Sequence, residues 1–172
     1  MVWVKKYYKS FKGYKWVWVN EITKNYLDET CFNRPRSYTT EYAHKKGKAI
    51  RPRQYKTNPI SAICLMTPNG NYAYLVRCRI ERIPLKVKAK FLKQLGITKV
   101  NCDKRNLGLR KFGIETKLVP KPENEIERLF GYKSAIHRLP ANTPQLEVYR
   151  KHVEYLKRNF TIVNLNEFPE LA

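Results

Sequence analysis

Acidic residues are scarce in this chain, and the motifs of several large enzyme classes are missing. The 172 residues contain 14 Asp+Glu against 35 Lys+Arg, and Asp28 and Asp103 are the only aspartates. There is no P-loop, no G-x-G-x-x-G and no H-E-x-x-H sequence. A two-metal nuclease needs clustered carboxylates, whereas the acids of the basic part of this chain are scattered along the sequence. The sequence therefore favours a binding protein over an enzyme, and we expect no catalytic residue, metal, cofactor or small-molecule substrate.

Long apolar runs, paired cysteines and motif histidines are missing as well. No stretch approaches the roughly 18 consecutive apolar residues of a membrane span, so we expect none. The four cysteines show no C-x-x-C spacing, which argues against a zinc ribbon and favours reduced, mostly buried thiols; they are Cys31, Cys64, Cys78 and Cys102. None of the three histidines has a carboxylate or cysteine at a motif spacing, and we expect His152 on a helix surface.

Positive charge, by contrast, is abundant and unevenly distributed. The formal net charge is +21 and the isoelectric point is about 10.0. Residues 1–60 hold 14 Lys+Arg against 4 acids, residues 61–122 hold 14 against 3, and residues 123–172 hold 7 against 7. Such an excess predicts a polyanionic partner, with nucleic acid first and an anionic membrane surface second.

These shifts in composition divide the chain into three regions. Residues 1–59 form a basic, aromatic N-terminal extension, residues 60–122 a core, and residues 123–172 a neutral, helical C-terminal extension. The first twenty residues carry five lysines and no acid, which resembles an import signal in charge. They lack arginine, so we expect a retained basic arm. The stretch 33–59 contains Arg-Pro-Arg twice and is expected to be an extended arm.

Aromatic residues and lysines alternate near the N-terminus. Tyr14–Val19 is β-prone, and tyrosines and tryptophans are interleaved with lysines from Lys5 onwards. This mixture suits base stacking combined with phosphate contact. It suits equally well a strand that packs on a neighbouring protein, and the sequence leaves both interpretations open.

The core alternates strands and helices. Strands are predicted at 60–66 and 72–80 with an Asn69-Gly70 turn between them, followed by a helix at 85–95 that ends at Gly96. A strand at 97–102, a short helix at 105–112 and a strand at 114–119 complete it. Lys88 lies towards the apolar side of its helix and is expected to snorkel or sit at an edge.

The C-terminal region is predicted to contain two helices and a closing strand. One helix begins after Pro122, and a second opens at Thr143-Pro144 as N-cap and first residue. The second helix has an apolar stripe, formed by Leu146, Tyr149, Val153 and Leu156. The closing strand is predicted at 160–165.

Residues 75–101, LVRCRIERIPLKVKAKFLKQLGITKVN, carry a family resemblance. An apolar strand ends in an arginine-rich turn, a helix follows from Pro84 to Lys93, and it stops at Leu95-Gly96 with Lys99 just beyond. Together with the later stretch from Phe112 to Val119, this order resembles the ribosomal protein L thirty family of the large subunit, especially its mitochondrial members.

The resemblance implies an α+β fold with a small β-α-β-α-β core, in which a three-stranded antiparallel sheet carries two helices on one face. It also implies binding to large-subunit ribosomal RNA without catalysis. It carries the RNA face onto Arg77, Arg79, Arg82, Lys86, Lys90 and Lys99. The full set of expected RNA-binding residues adds Arg51, Arg53, Lys93, Lys104, Arg105, Arg110 and Lys111.

We therefore expect a structural component of the mitochondrial large ribosomal subunit, in the matrix, with ribosomal RNA and neighbouring ribosomal proteins as partners. Two alternatives remain. One is an RNA-processing or RNA-modifying enzyme, which a cofactor pocket or a carboxylate cluster in the structure would favour. The other is a peripheral subunit of a membrane complex.

Overall fold

The computed structural model of the chain describes residues 3–10, 13–20, 24–32, 59–119, 139–140 and 142–172. The expected arm at 33–58, with Arg51 and Arg53, and the helix expected after Pro122 lie outside these residues. The strands are β1 (Trp3–Ser10), β2 (Gly13–Asn20), β3 (Tyr26–Phe32), β4 (Ile60–Thr67), β5 (Gly70–Val76), β6 (Lys99–Cys102), β7 (Glu115–Leu118) and β8 (Thr161–Ile162). The helices are α1 (Leu85–Gln94), α2 (Gln145–Lys157) and the 3-10 helices Ile80–Arg82, Lys104–Phe112, Leu165–Glu167 and Pro169–Leu171.

Six of these strands form one mixed sheet in the order β7-β6-β3-β4-β5-β8, and β1 and β2 form a separate antiparallel pair. The strands β3, β4 and β5 make an antiparallel meander. The strand β6 lies parallel to β3 on its other side, β7 is parallel to β6, and β8 is parallel to β5. The sheet therefore takes strands from all three regions of the sequence.

The predicted hairpin and helix of the core are confirmed. Thr67 pairs with Gly70 across the β4–β5 turn, and the Thr67 hydroxyl donates to the Gly70 carbonyl at 2.7 Å. The helix α1 covers Leu85–Gln94, and Gly96 follows it with a φ of 71°, a left-handed conformation that glycine adopts without a Cβ clash. Local sequence signals were therefore sufficient for these elements.

Apolar side chains fill both faces of the sheet. On one face α1 and the 3-10 helix Lys104–Phe112 pack over a cluster that includes Leu27, Ile63, Phe91, Leu92 and Leu109. On the other face α2 packs over a cluster that includes Phe32, Ala62, Leu75, Val153 and Leu156. Alternate residues of β4 enter different clusters, as the pleat of a strand requires. The six-stranded sheet and the helices on its two faces thus form a mixed α/β sandwich of three layers.

The expected three-stranded antiparallel sheet with helices on one face is not confirmed. The difference comes mainly from β3, which lies in the middle of the sheet although the sequence analysis assigned it to an extension. Its sequence, Tyr-Leu-Asp-Glu-Thr-Cys-Phe, carries two acids at its centre. Buried acids are rare in strands unless they are paired, so the apolar pattern of this strand was too weak to predict it.

The helix α2 buries a wider and slightly rotated face than predicted. Its buried residues are Val148, Tyr149, His152, Val153 and Leu156. His152 is only 2% exposed and contacts the ring of Phe32 edge-on at 4.8 Å between centroids. The prediction of a surface His152 was therefore wrong. Leu146, assigned to the stripe, is 40% exposed, because the face that covers the sheet begins after it.

The chain after α2 is fastened along β5. Two residues of β8 pair with Tyr72 and Ala73. The buried Asn164 then continues the pairing with its side chain, which accepts a hydrogen bond from the Leu75 N–H and donates one to the Leu75 carbonyl, both at 2.8 Å. This amide acts as a one-residue extension of the strand, which explains why β8 is shorter than the strand predicted at 160–165.

Two further expectations concern membranes and thiols. Within the described residues, no helix combines the length and the apolar character that crossing a bilayer demands. Of the four cysteines, all of which are unbridged, Cys64 and Cys102 are buried while Cys31 and Cys78 are half-buried.

The buried His152 makes the stability of the fold dependent on pH. Burial lowers the pKa of His152 from 6.5 to about 4, so the unfolded state binds more protons between these values. The free energy of unfolding should therefore fall as the pH drops from 6.5 to 4, by up to roughly 3 kcal/mol from this group. Urea denaturation of the wild type and His152→Phe at pH 7.5, 5.5 and 4.5 should show a shallower fall in the variant. An equal fall in both proteins would contradict this assignment.

Candidate metal centre and nucleic-acid interface

The register between β3 and β6 brings the two aspartates of the chain together. Tyr26 of β3 is paired with Asn101 of the parallel strand β6. Two residues further along each strand, Asp28 and Asp103 therefore lie side by side. Asp28 lies within β3, whereas Asp103 directly follows the last residue of β6.

Glu29 completes a cluster of three carboxylates with these aspartates. One carboxylate oxygen from each of the three residues lies within 4.8 Å of the others. Asp28 and Glu29 are buried, and Asp103 is half-buried. Asp28 Oδ1 accepts the Glu29 N–H at 2.9 Å, and Asp103 Oδ1 caps the following 3-10 helix by accepting the Asn106 N–H at 3.3 Å. Backbone contacts therefore hold both aspartates in place.

A buried lysine compensates part of this negative charge. Lys88 of α1 places its Nζ 2.5 Å from Glu29 Oε1 and 2.6 Å from Asn106 Oδ1. Asn106 Nδ2 donates in turn to the same Glu29 oxygen at 2.7 Å. The three side chains form a closed triangle, which we call the Lys88–Glu29–Asn106 triangle. It joins α1, the central strand β3 and the 3-10 helix Lys104–Phe112.

The expectation that Lys88 snorkels or lies at an edge was therefore wrong. Its side chain is about 1% exposed, as is that of Glu29. Burying a lone ammonium would cost several kcal/mol, and the carboxylate partner offsets this penalty. The partner lies 59 residues earlier in the chain, so helix periodicity alone had no means of identifying it.

Two buried thiols flank the carboxylates, and both are neutral at physiological pH. Burial, reinforced by the charges of Asp28 and Glu29, raises the pKa of the Cys64 thiol well above its usual value. Burial, reinforced by Asp103 and Glu29, raises the pKa of Cys102 to about 12. The centre therefore presents oxygen ligands beside protonated thiols, a donor set that hard divalent cations prefer.

The spacing of the carboxylates can be compared with the size of such a cation. Two oxygens on one Mg²⁺ lie at most about 4.2 Å apart, since each bond is about 2.1 Å. For Ca²⁺, with bonds up to about 2.6 Å, the limit is about 5.2 Å. A spacing within 4.8 Å therefore accommodates a Ca²⁺-sized ion directly, and Mg²⁺ requires a shift of a few tenths of an ångström.

The predicted RNA-binding residues form the second part of the site. Every one of them within the described residues is exposed. On and just before α1 these are Arg79, Arg82, Lys86, Lys90 and Lys93. Lys104, Arg105 and Lys111 lie on the adjacent 3-10 helix, which packs beside α1 on the same face of the sheet. The structure thus brings most of the predicted set onto one side of the molecule.

Three of the predicted residues also have partners within the chain. Arg77 forms an ion pair with Glu170 and lies over the Phe168 ring at 4.5 Å. Lys99 lies 3.4 Å from Glu115, and Arg110 donates to the Thr116 hydroxyl and carbonyl at 2.8 and 3.1 Å. These contacts give Arg77 and Arg110 a structural role that sequence reasoning missed.

Sequence reasoning also missed the carboxylate cluster. Asp103 lies far from Asp28 and Glu29 in the chain, and only the strand register makes it their neighbour. One signal was present, because Asp103 directly follows a predicted apolar strand, where the side chains at the carboxyl end of a sheet gather.

Comparison with known proteins found no matching family model, curated protein or solved structure. The resemblance to the L thirty family therefore stays a prediction.

The Lys88–Glu29–Asn106 triangle should make a large contribution to stability. Lys88→Met leaves a buried, uncompensated carboxylate, so we expect a loss of about 3–5 kcal/mol in the free energy of unfolding. The double variant Lys88→Met/Glu29→Gln should lose clearly less than the sum of the single variants. Urea denaturation in EDTA measures both. Lys90→Met, on the exposed side of the same helix, is the control and should change stability by no more than about 0.5 kcal/mol. Equal effects at positions 88 and 90 would contradict the role of the triangle.

Proposed function

We propose that this chain is a divalent-metal-dependent enzyme that cleaves or transfers phosphodiester bonds in nucleic acid. The observation that carries the proposal is the carboxylate cluster of Asp28, Glu29 and Asp103, whose oxygens lie within 4.8 Å of one another. Such a cluster could hold the divalent ion that metal-dependent phosphodiester cleavage requires, whereas RNA binding alone requires none.

Charge supports a single divalent cation in this cluster. Three carboxylates meet here and Lys88 pairs with one of them, Glu29, so a divalent cation would be attracted to the cluster. Asp28 and Asp103 would hold the ion, because the Lys88–Glu29–Asn106 triangle already engages Glu29. Glu29 would then help to position the two aspartates without binding the ion itself.

The surrounding basic residues suit a phosphate substrate. Lys104 and Arg105 are exposed and follow Asp103 directly in the chain. Cations beside an acidic metal site attract the phosphate backbone that the carboxylates alone would repel. Further basic residues on α1 extend this attraction along the same face of the sheet.

A divalent ion held by Asp28 and Asp103 would supply charge stabilisation to the phosphoryl oxygens and activation of the attacking water. Hydrolysis would join the water oxygen to phosphorus, break the bond to the leaving sugar oxygen and pass a proton of that water to the leaving oxygen. In a transfer reaction, a nucleic-acid hydroxyl replaces water as the nucleophile. Lys104 and Arg105 would hold the phosphate in position during either reaction.

Cleavage of labelled nucleic acid tests this proposal. The purified chain should cut single- or double-stranded RNA or DNA in Mg²⁺ or Mn²⁺ and not in EDTA. Asp28→Asn and Asp103→Asn should each lower the rate by at least about 100-fold, since a metal supplies several kcal/mol of stabilisation. Glu115→Gln, an exposed acid away from the cluster, is the matched control and should keep the wild-type rate.

Circular dichroism of each variant separates loss of activity from loss of fold. Cleavage that persists unchanged in folded Asp28→Asn and Asp103→Asn would show a contaminating nuclease and would contradict the proposed enzyme. Absence of cleavage by the wild type on all four substrates, with either metal, would contradict it as well.

A second candidate is the ribosomal one, a component of the mitochondrial large subunit that binds ribosomal RNA and neighbouring proteins without catalysis. The observation that favours it is the exposure of all the described residues in the predicted RNA-binding set. Against it, the three-stranded core that the L thirty resemblance implies is not confirmed. Tight RNA binding without cleavage in Mg²⁺ would favour this candidate over the enzyme.

Salt dependence tests the RNA face that both candidates share. Neutralising Arg79, Lys86 and Lys90 to glutamine should reduce the slope of log K against log salt by about 2–3, at 0.7–0.9 per phosphate contact. The matched control neutralises Lys151 and Lys157 on α2 and Arg158 directly after it, all of which are exposed; α2 lies over the opposite face of the sheet. It removes the same charge and should leave the slope unchanged. Equal slopes for the two triple variants would contradict a localised RNA face.

A further inference from the structure

The register of the β1–β2 hairpin sorts its residues onto two chemically different faces. Residues paired across two antiparallel strands share a face, and so do residues two apart in one strand. One face therefore carries the pairs Trp3↔Asn20, Lys5↔Trp18, Tyr7↔Trp16 and Lys9↔Tyr14. The other carries Val4↔Val19, Lys6↔Val17, Tyr8↔Lys15 and Ser10↔Gly13. We call the first the aromatic face and the second the valine face.

The aromatic face concentrates the groups that bind single-stranded nucleic acid. It holds all three tryptophans of the chain and two of its tyrosines, together with Lys5 and Lys9. On β2 the aromatic positions recur at every second residue, about 6.8 Å apart, and on β1 Lys5 and Lys9 alternate with Tyr7. Rows of aromatic residues flanked by cations stack unpaired bases and contact their phosphates.

We propose that the aromatic face of the β1–β2 hairpin is a stacking platform for single-stranded nucleic acid. Positive charge favours nucleic acid as the ligand over a protein or a second copy of the chain. Residues 1–20 carry five lysines and no acid, and the whole chain is strongly basic. The valine face carries Val4, Val17 and Val19, which are all the valines of the hairpin's pairs, and its only aromatic residue is Tyr8. Stacking favours unpaired bases, because the bases of a duplex already stack on each other.

The platform goes beyond the proposed function, because it uses a different part of the chain and requires no metal. It would hold a single-stranded region of the substrate whether or not the carboxylate cluster cleaves it. Binding experiments in EDTA therefore test the platform alone, and its failure is distinct from a failure of the proposed enzyme.

Intrinsic fluorescence provides a direct readout, since all three tryptophans belong to the hairpin. The full chain in EDTA is titrated with a 12-nucleotide oligouridylate, an oligothymidylate and a DNA duplex of equal length. We expect either single strand to quench tryptophan emission and to bind more tightly than the duplex. No quenching during binding, or preference for the duplex, would overturn the platform.

The sequence Lys5-Lys6-Tyr7-Tyr8 supplies matched variants, because neighbouring identical residues lie on opposite faces. Tyr7→Ala should weaken oligouridylate binding roughly 5- to 100-fold, the range for loss of one stacked base, whereas Tyr8→Ala should change it less than about twofold. Lys5→Gln should reduce the salt slope by about 0.7, and Lys6→Gln should not. Equal effects within each pair, with circular dichroism confirming the fold, would overturn the assignment of the aromatic face.

Discussion

The buried ion pair between Lys88 and Glu29 is the interaction on which the architecture around the candidate site depends. It ties α1 to the central strand β3, and through Asn106 it also ties the 3-10 helix Lys104–Phe112 to both. A buried charge without its partner is strongly destabilising, so these three elements are expected to dock together. The same contact holds Glu29 beside Asp28 and Asp103, and thus links the stability of the fold to the geometry of the carboxylate cluster.

The strand β3 gives this ion pair its position. It separates the antiparallel strands β4 and β5 from the parallel strands β6 and β7. Residues of β3 enter both apolar clusters of the core, so its buried acids lie beside apolar side chains. Low local dielectric strengthens the pairing of Lys88 with Glu29. The close approach of the Asp28, Glu29 and Asp103 carboxylates is the physical basis for proposing a divalent cation there.

The two proposed nucleic-acid-binding surfaces have different chemistry. The basic residues around α1 and the 3-10 helix offer cations on rigid elements, a pattern suited to phosphates regardless of sequence. The aromatic face of the β1–β2 hairpin offers rings between lysines, a pattern suited to unpaired bases. Both proposals use the basic part of the chain, whereas the described C-terminal residues 142–172 contribute to the core. Arg77 connects the basic core with the C-terminal segment, since it forms an ion pair with Glu170 and lies over the Phe168 ring.

Sequence alone determined the local elements of this protein. The Asn69-Gly70 turn, the helix that ends at Gly96 and the strands around it follow from turn chemistry, periodicity and capping, which act over a few residues. The basic character and the scarcity of acids were also visible in the sequence alone, and they predict a polyanionic partner. Tertiary structure alone decided the six-stranded order, the burial of His152 and Lys88, and the meeting of Asp28 with Asp103. These depend on which strands become neighbours, and a single sequence does not contain that register because the paired residues are far apart in the chain. The two aspartates that looked scattered were therefore the pair that the fold brings together.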